Sequence, residues 1–162
     1  MNYIKKSKLK SFVFILINDF SLIAFSNAIE PLRLANRLAQ KQLYSWKITS
    51  ETGERVKCSS GFYFDVDSSI HKIQSDDYLI LCSGENIKKN ITKTVLNWIR
   101  KQARKQMYIG SICTGTYILA KAGIISDVSS TIHWENRESL KEEFENLNIT
   151  DSIYTIDKKR FS

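Results

Sequence analysis

Hydrophobic and polar positions alternate in two rhythms along this chain. FVFILIN (12–18), YLILC (78–82) and MYIGSIC (107–113) are apolar at almost every position, the pattern of strands covered on both faces. YSWKITS (44–50) alternates instead, as a half-covered strand does. Between the first two strands the rhythm lengthens. From Ser21 to Gln40, residues Ile23, Ala24, Ala28, Ile29, Leu32, Ala35 and Leu38 recur at helical spacing. Asp19 or Ser21 is placed to cap that helix, and Pro31 predicts a kink or a junction within it.

The remaining elements are shorter. GERVKCSSGFYFDVDSS (53–69) reads as two short extended pieces joined by a turn near Ser59-Ser60-Gly61. Gly84 closes the strand at Tyr78–Cys82. Residues 87–105 fit one helix, with Val95, Ile99 and Ala103 on its apolar side. TGTYILAKAG (114–123) fits a short helix ended by Gly123. A turn leads to STIHW, residues 135–147 read as helix, and SIYTI (152–156) as a late strand. Alternation of this kind predicts an α/β fold, a mostly parallel sheet with helices on both faces. KKRFS follows with no closing helix, so the pattern predicts a chain cut from a longer polypeptide.

With 162 residues and 43% hydrophobic positions, the chain supports one domain with a real core and not disorder. MNYIKKSKLK followed by FVFILI imitates a signal peptide, but the apolar run stops at Asn18-Asp19 and no small-residue cleavage site follows. No apolar window reaches the length of a membrane span. The expectation is a cytoplasmic protein with a basic lead-in at residues 1–10 and a domain over residues 11–162. The net charge of +7 is concentrated in two places. Lys5, Lys6, Lys8 and Lys10 lie in the lead-in. Lys88, Lys89, Lys93, Arg100, Lys101, Arg104 and Lys105 form an acid-free stretch. That stretch reads as a basic surface helix; without a helix-turn-helix pattern it does not predict DNA binding by this chain.

Cys58, Cys82 and Cys113 are odd in number and far apart, and His71 and His133 are the only histidines. A structural metal site or a disulfide framework is not expected. His71 reads as surface, and Cys58 and Cys82 as core or loop residues. The chemistry gathers at GSICTG (110–115), which places Cys113 in a tight strand-to-helix turn, as in a nucleophile elbow with sulfur in place of oxygen. Helix-terminal N–H groups there favour a thiolate or an oxyanion. Two readings stay open at this level: Cys113 as a nucleophile with His133 as its acid/base, or a buried, inert thiol beside a packed histidine.

NDFSLIAFSNAIEPLRLANRL (18–38), DDYLILCSG (76–84), GSICTGTYILAKAGI (110–124) and TIHWE (131–135) together resemble the ThiJ/PfpI-type domain of the class I glutamine amidotransferase-like superfamily. More closely, they resemble the N-terminal domain of AraC/XylS-family transcriptional regulators. The resemblance implies a three-layer αβα sandwich, flavodoxin-like, with the family cysteine at Cys113 and the histidine of many members at His133. It implies a ligand pocket drawing on Asn18, Phe20, Asn27, Gly84, Cys113, Thr114, His133 and Trp134. It further implies homodimerisation, no cofactor, and a small polar metabolite of amino-acid or amine type. DNA would be contacted only through a following pair of helix-turn-helix units, preceded by one more helix, that this sequence does not contain.

Two departures bear on activity. Proteases of the superfamily carry histidine directly after the cysteine, where Thr114 stands. Reactive members place a glutamate from the first helix beside the thiol; that position falls near Ala24, and Glu30 belongs instead to the regulators' IEP signature. The chain is therefore expected to be a sensor and dimerisation domain and not an enzyme. The competing readings are a cysteine-dependent hydrolase or lyase, such as an isonitrile hydratase-like enzyme, and a purely structural dimerisation module.

Overall fold

Phe12 to Leu16 begin the structure, because they have no face to show to water. The computed structural model describes residues 9–73 and 78–162, so Lys5, Lys6 and Lys8 of the basic lead-in, and Asp76 and Asp77, lie outside the described residues. Strand β1 (Lys10–Leu16) sends Val13 and Ile15 into one core and Phe14 and Leu16 into another, all of them buried. This is the strand alternation expected of a sheet covered on both sides.

Helix α1 (Leu22–Ala39) follows as one uninterrupted element, with Pro31 inside it, so the anticipated junction is absent. Proline removes one intrahelical hydrogen bond, but Phe25, Ala28, Ile29 and Leu32 pack on the aromatic core on both sides of it. Asn36 also fastens the helix end to the next strand. Its amide donates to the Tyr44 carbonyl (2.8 Å) and its oxygen accepts from the Leu43 and Tyr44 N–H groups. Strand β2 (Tyr44–Ser50) matches the alternating segment. The ribbon β3 (Val56–Lys57) and β4 (Tyr63–Phe64) pairs antiparallel, and β5 (Ser68–Ser69) adds an edge to β2. Strand β6 (Tyr78–Cys82) pairs parallel with β1.

The single helix expected over 87–105 is two: α2 (Ile87–Asn90) and α3 (Lys93–Arg104). The break has a local cause. Asn90 spends its side chain on the Asn18 carbonyl and the Asp19 carboxylate, and Thr92 caps the second helix by accepting from the Val95 N–H at 3.1 Å. Lys89, Lys93, Lys101, Arg104 and Lys105 are exposed, in keeping with a basic surface. Strand β7 (Ile109–Ile112) leads through one 3₁₀ turn into α4 (Thr116–Ala122), which Gly123 ends with a left-handed φ of 71°.

The last third departs most from expectation. Strand β8 (Ser129–Ser130) pairs parallel with β9 (Asn148–Ile149). Between them the predicted helix over 135–147 shrinks to α5 (Arg137–Glu143), because Leu147 and Ile149 turn back onto the core. No strand forms over residues 152–155. Instead β10 (Ile156–Asp157) and β11 (Arg160–Phe161) make a hairpin, and β11 pairs parallel with β7. KKRFS is thus part of the sheet. Gly110 makes the docking feasible: a Cβ there would run into the Phe161 ring.

Among the described residues the main sheet has seven strands, in the order β5-β2-β1-β6-β7-β11-β10, parallel except for the final hairpin. One face carries α1 and the ribbon over an aromatic core of Phe14, Phe20, Phe25 and Phe64. The other carries α3, α4 and α5 over an aliphatic one that includes Leu79, Leu81, Ile99, Ile118 and Leu119. The α/β sandwich expected from the sequence is what forms. No helix among the described residues is long and apolar enough to cross a membrane.

Candidate functional site

Ligands collect beyond the C-terminal ends of parallel strands, and here that end is built by the β7–α4 turn. Cys113 sits at φ 57°, a left-handed conformation that costs a non-glycine residue energy. The turn is held from both sides. Gly115 packs so closely on β6 that a Cβ would stand 2.6 Å from the Leu81 carbonyl oxygen. The Thr114 hydroxyl donates to the Gly84 carbonyl at 2.6 Å, which makes Ser83 the donor in the 2.8 Å bond between their hydroxyls. Thr116 donates to the Thr131 carbonyl at 2.6 Å and so accepts from Ser111. The two threonine hydroxyls fix backbone and the two serines brace them, and the strain at Cys113 persists because these bonds outweigh it.

The elbow opens on a cavity of about 760 Å³. Its floor is Cys113, Ser111 and Ile112; α1 and its capping residue contribute Ser21, Ile23, Ala24 and Asn27; residues 151–156, Phe161 and Ser162 supply a far wall. Cys113 is half-buried. Burial raises its thiol above the ordinary cysteine value; hydrogen bonding from the Thr114 backbone and the Ser21 hydroxyl pulls the other way, the Glu135 carboxylate adds to the rise, and burial wins. The group beside sulfur from the first helix is therefore a neutral hydroxyl. Ala24 lines the cavity without a carboxylate. Glu30 is far from this chemistry: it is half-exposed and paired with Arg33 at 2.6 Å, which holds its carboxyl below the usual range.

His133 joins Cys113 through backbone, its N–H donating to the Cys113 carbonyl at 3.2 Å. Its imidazole lies 3.8 Å from Glu135 and leans on Trp134 at 5.7 Å between ring centres. Of the residues anticipated for the pocket, the structure brings Asn27, Cys113, His133 and Trp134 to the cavity wall. The other four stand behind it. Asn18 accepts from the Lys57 N–H and, through its carbonyl, from Asn90. Phe20 is fully buried in the aromatic core. Gly84 and Thr114 brace the elbow. Among the described residues no cluster of His, Cys, Asp and Glu could hold a metal.

Sequence reasoning missed the far wall. Arg137 lines the cavity with only 23% of its side chain exposed; its Nη1 meets Asp151 Oδ1 at 3.0 Å, and its Nε is buried with no hydrogen-bond partner. The one available signal was an arginine three residues after Trp134 at the head of an acid-rich stretch. Tyr154, Thr155 and Ser162 carried none.

Comparison with known proteins agrees with this architecture. The model of the DJ-1/PfpI family matches residues 10–160. The chain is 32% identical over 153 residues to the HTH-type transcriptional regulator GbdR of Pseudomonas aeruginosa, covering 94% of this chain and 42% of that protein. It is likewise 32% identical over 153 residues to the HTH-type transcriptional regulator CdhR of the same species, covering 94% and 45%. The chain thus spans less than half the length of either. The crystal structure of an AraC family transcriptional regulator from Pseudomonas putida superposes with a TM-score of 0.80 at 26% identity, over 94% of this chain and 82% of that one. The resemblance to ThiJ/PfpI-type domains of regulators is therefore borne out, and with the family model spanning nearly its whole length, the chain belongs to the DJ-1/PfpI family.

Proposed function

We propose that this domain is the ligand-sensing and dimerisation part of an AraC-type transcriptional regulator working in the cytoplasm. It spans residues 11–162, and a further helix and a helix-turn-helix domain follow in the complete protein. The observation that carries the reading is the cavity: a polar-and-apolar chamber of about 760 Å³ built around an elbow cysteine whose thiol is raised and has no carboxylate from α1 beside it. Such a pocket is suited to recognise a small metabolite, of amino-acid or amine type, without converting it. The relatives that share 32% identity over 94% of the chain are regulators by name, which supports placing DNA contact in the part they have beyond this length. A ligand would act by favouring one of two arrangements of the dimer, since coupling requires differential affinity.

The test is thermal-shift screening of the chain with amino acids and quaternary and primary amines. A ligand well above its dissociation constant should raise stability by about 2–4 kcal/mol, and a Trp134→Ala variant should lose the response. No shift across the whole library would favour a structural dimerisation module.

The elbow itself favours a second reading, a cysteine-dependent hydrolase or lyase using Cys113 as nucleophile and His133 as acid/base. Iodoacetamide alkylation of Cys113 against pH separates the two. The sensor reading expects reactivity that climbs only above the ordinary thiol value of about 8.5; a plateau already reached at neutral pH would favour the enzyme.

A further inference from the structure

Arginine is the only guanidinium or ammonium side chain among the cavity's lining residues, and it occurs once. Arg137 is three-quarters buried, yet its fork of five donors is poorly used. Nη1 points to Asp151, a carboxylate that is itself 77% exposed, so that pairing is made at the edge of solvent and is weak. Nε has no acceptor in a place water does not reach. Buried donors of this kind are uncommon and mark a missing partner. The second unpaired buried side-chain polar atom of the described residues is the Thr150 hydroxyl, the neighbour of Asp151 in sequence. Of the two, Arg137 is the one that lines the cavity. The rest of the wall is chiefly apolar or internally bonded: Ile23, Ile112 and Ile132 offer carbon, and the Thr116 and Thr131 hydroxyls already serve backbone carbonyls.

We propose that Arg137 is the anion anchor of this cavity, that the ligand is a small organic acid bound through its carboxylate, and that Asp151 holds the place of that carboxylate when the cavity is empty. The inference rests on the sensor reading above and narrows its ligand. A carboxylate that takes the place of Asp151 would meet the guanidinium fork, whose planar geometry favours two-point pairing. It would displace Asp151, the one acid on the wall, which sits on the irregular segment between β9 and β10. Ligand entry would therefore be felt first in residues 150–156.

A matched pair of probes tests this: isovalerate and isovaleramide, equal in shape and differing in charge, titrated into the 162-residue chain with the transition temperature and the ¹⁵N–¹H signal of Arg137 Nε as readouts. The acid should bind at least tenfold more tightly than the amide and move the Nε signal. Arg137→Gln should remove the acid's advantage over the amide. Asp151→Asn should tighten acid binding several-fold by removing the internal competitor. Should Arg137→Gln fail to fold, the unmoved Nε signal in the wild-type chain under saturating acid is enough to overturn the proposal. Equal binding of acid and amide overturns the anchor while leaving the sensor reading in place. Binding of neither probe overturns the anchor and counts against the sensor reading as well.

Discussion

The strands that hold the elbow and the segment that walls its cavity are built to opposite specifications. Strands β1, β6 and β7 pair in register, most of their side chains are buried, and the turn they support has its hydroxyls committed to one another and to backbone carbonyls. The wall over residues 150–156 has almost no ladder bonds, and it displays Ile153, Tyr154 and Ile156 to solvent. Its ties gather at its two ends and one point between: the Thr150 N–H donates to the Ser130 carbonyl, Thr131 donates to the Ser152 carbonyl at 2.7 Å, Arg137 meets Asp151, and Thr155 bonds Ser162 through backbone and hydroxyl. A binding site needs both kinds of material. The rigid part keeps Cys113 in a costly conformation, and the sparse part is where opening is cheap.

The sharpest way to break that comparison is to delete equivalent carbon from each region. Leu119 is fully buried in the aliphatic core, and Ile153 is 98% exposed. Leu119→Ala should cost about 2–5 kcal/mol through lost burial and a residual cavity. Ile153→Ala should stay within about 0.5 kcal/mol of the parent. Denaturant titration of both variants decides it; equal losses would mean that the wall is packed as tightly as the core.

The seam between the regions is Phe161 over Gly110. Because a Cβ at residue 110 collides with that ring, Gly110→Ala should unseat β11 from β7 at a cost of about 1–3 kcal/mol. Hydrogen exchange should accelerate over residues 156–162 and leave β1 and β6 slow. Uniform acceleration would contradict the division drawn here.

The same division governs what could be read from sequence. Long-period patterns were legible: β1, α1, β2 and β6 came from runs and spacings that only one structure satisfies. The elbow was legible too, because GSICTG follows a buried strand and precedes a helix. Strands of two residues have no period, so β8 to β11 left no trace in the pattern and SIYTI looked like a strand that the fold does not make. Pro31 and Ile91-Thr92 failed in opposite senses. Packing on both sides overrode a helix breaker, while a side-chain contact from Asn90 to the Asn18–Asp19 loop broke a helix whose apolar rhythm continued. For the site, residues near the elbow in sequence were divided by the chain's own folding: Thr114 turns inward to brace Gly84 while Cys113 faces the cavity. Arg137 could not be placed without the tertiary structure, since its role depends on a wall fourteen or more residues away.

Glu143 ties the last third of the chain to the core. It accepts from the Tyr117 hydroxyl at 2.8 Å and pairs with Lys88 at 2.6 Å and Lys121 at 3.3 Å. The Lys88 contact, helped by Tyr117 and Lys121, brings its carboxyl down from 4.5 to about 2. A lowered carboxyl lends stability that is complete above pH 4.5 and disappears as pH falls through about 2. Glu143→Gln should therefore cost about 1 kcal/mol at neutral pH, the partial exposure of the cluster holding the effect well under the full linkage value. The gap between variant and parent should close between pH 4.5 and 2. Tyr117 moves the other way, pushed up to about 12 by burial and by the Glu143 carboxylate, so its contribution fades as pH rises from 10 to about 12. Tyr117→Phe should lack that alkaline limb.

The smallest effect bears most directly on the rigid half, because it asks how much strain the elbow stores. Cys113→Ala and Cys113→Gly both remove the sulfur, the contact with Ser21 and the burial of the thiol, so these losses cancel in the comparison. What differs is the backbone at φ 57°. A left-handed residue with a Cβ is disfavoured by about 1–2 kcal/mol, a cost glycine does not bear. Glycine, in turn, loses more freedom on folding, about 0.5–1 kcal/mol relative to alanine. The glycine variant should consequently be the more stable of the two by about 0.5 kcal/mol in denaturant titration, even though glycine replaces a residue with a side chain. If alanine is the more stable variant, the turn is not strained, and the tight bonding of Thr114 and Gly115 around it would then be holding a conformation the chain adopts without resistance.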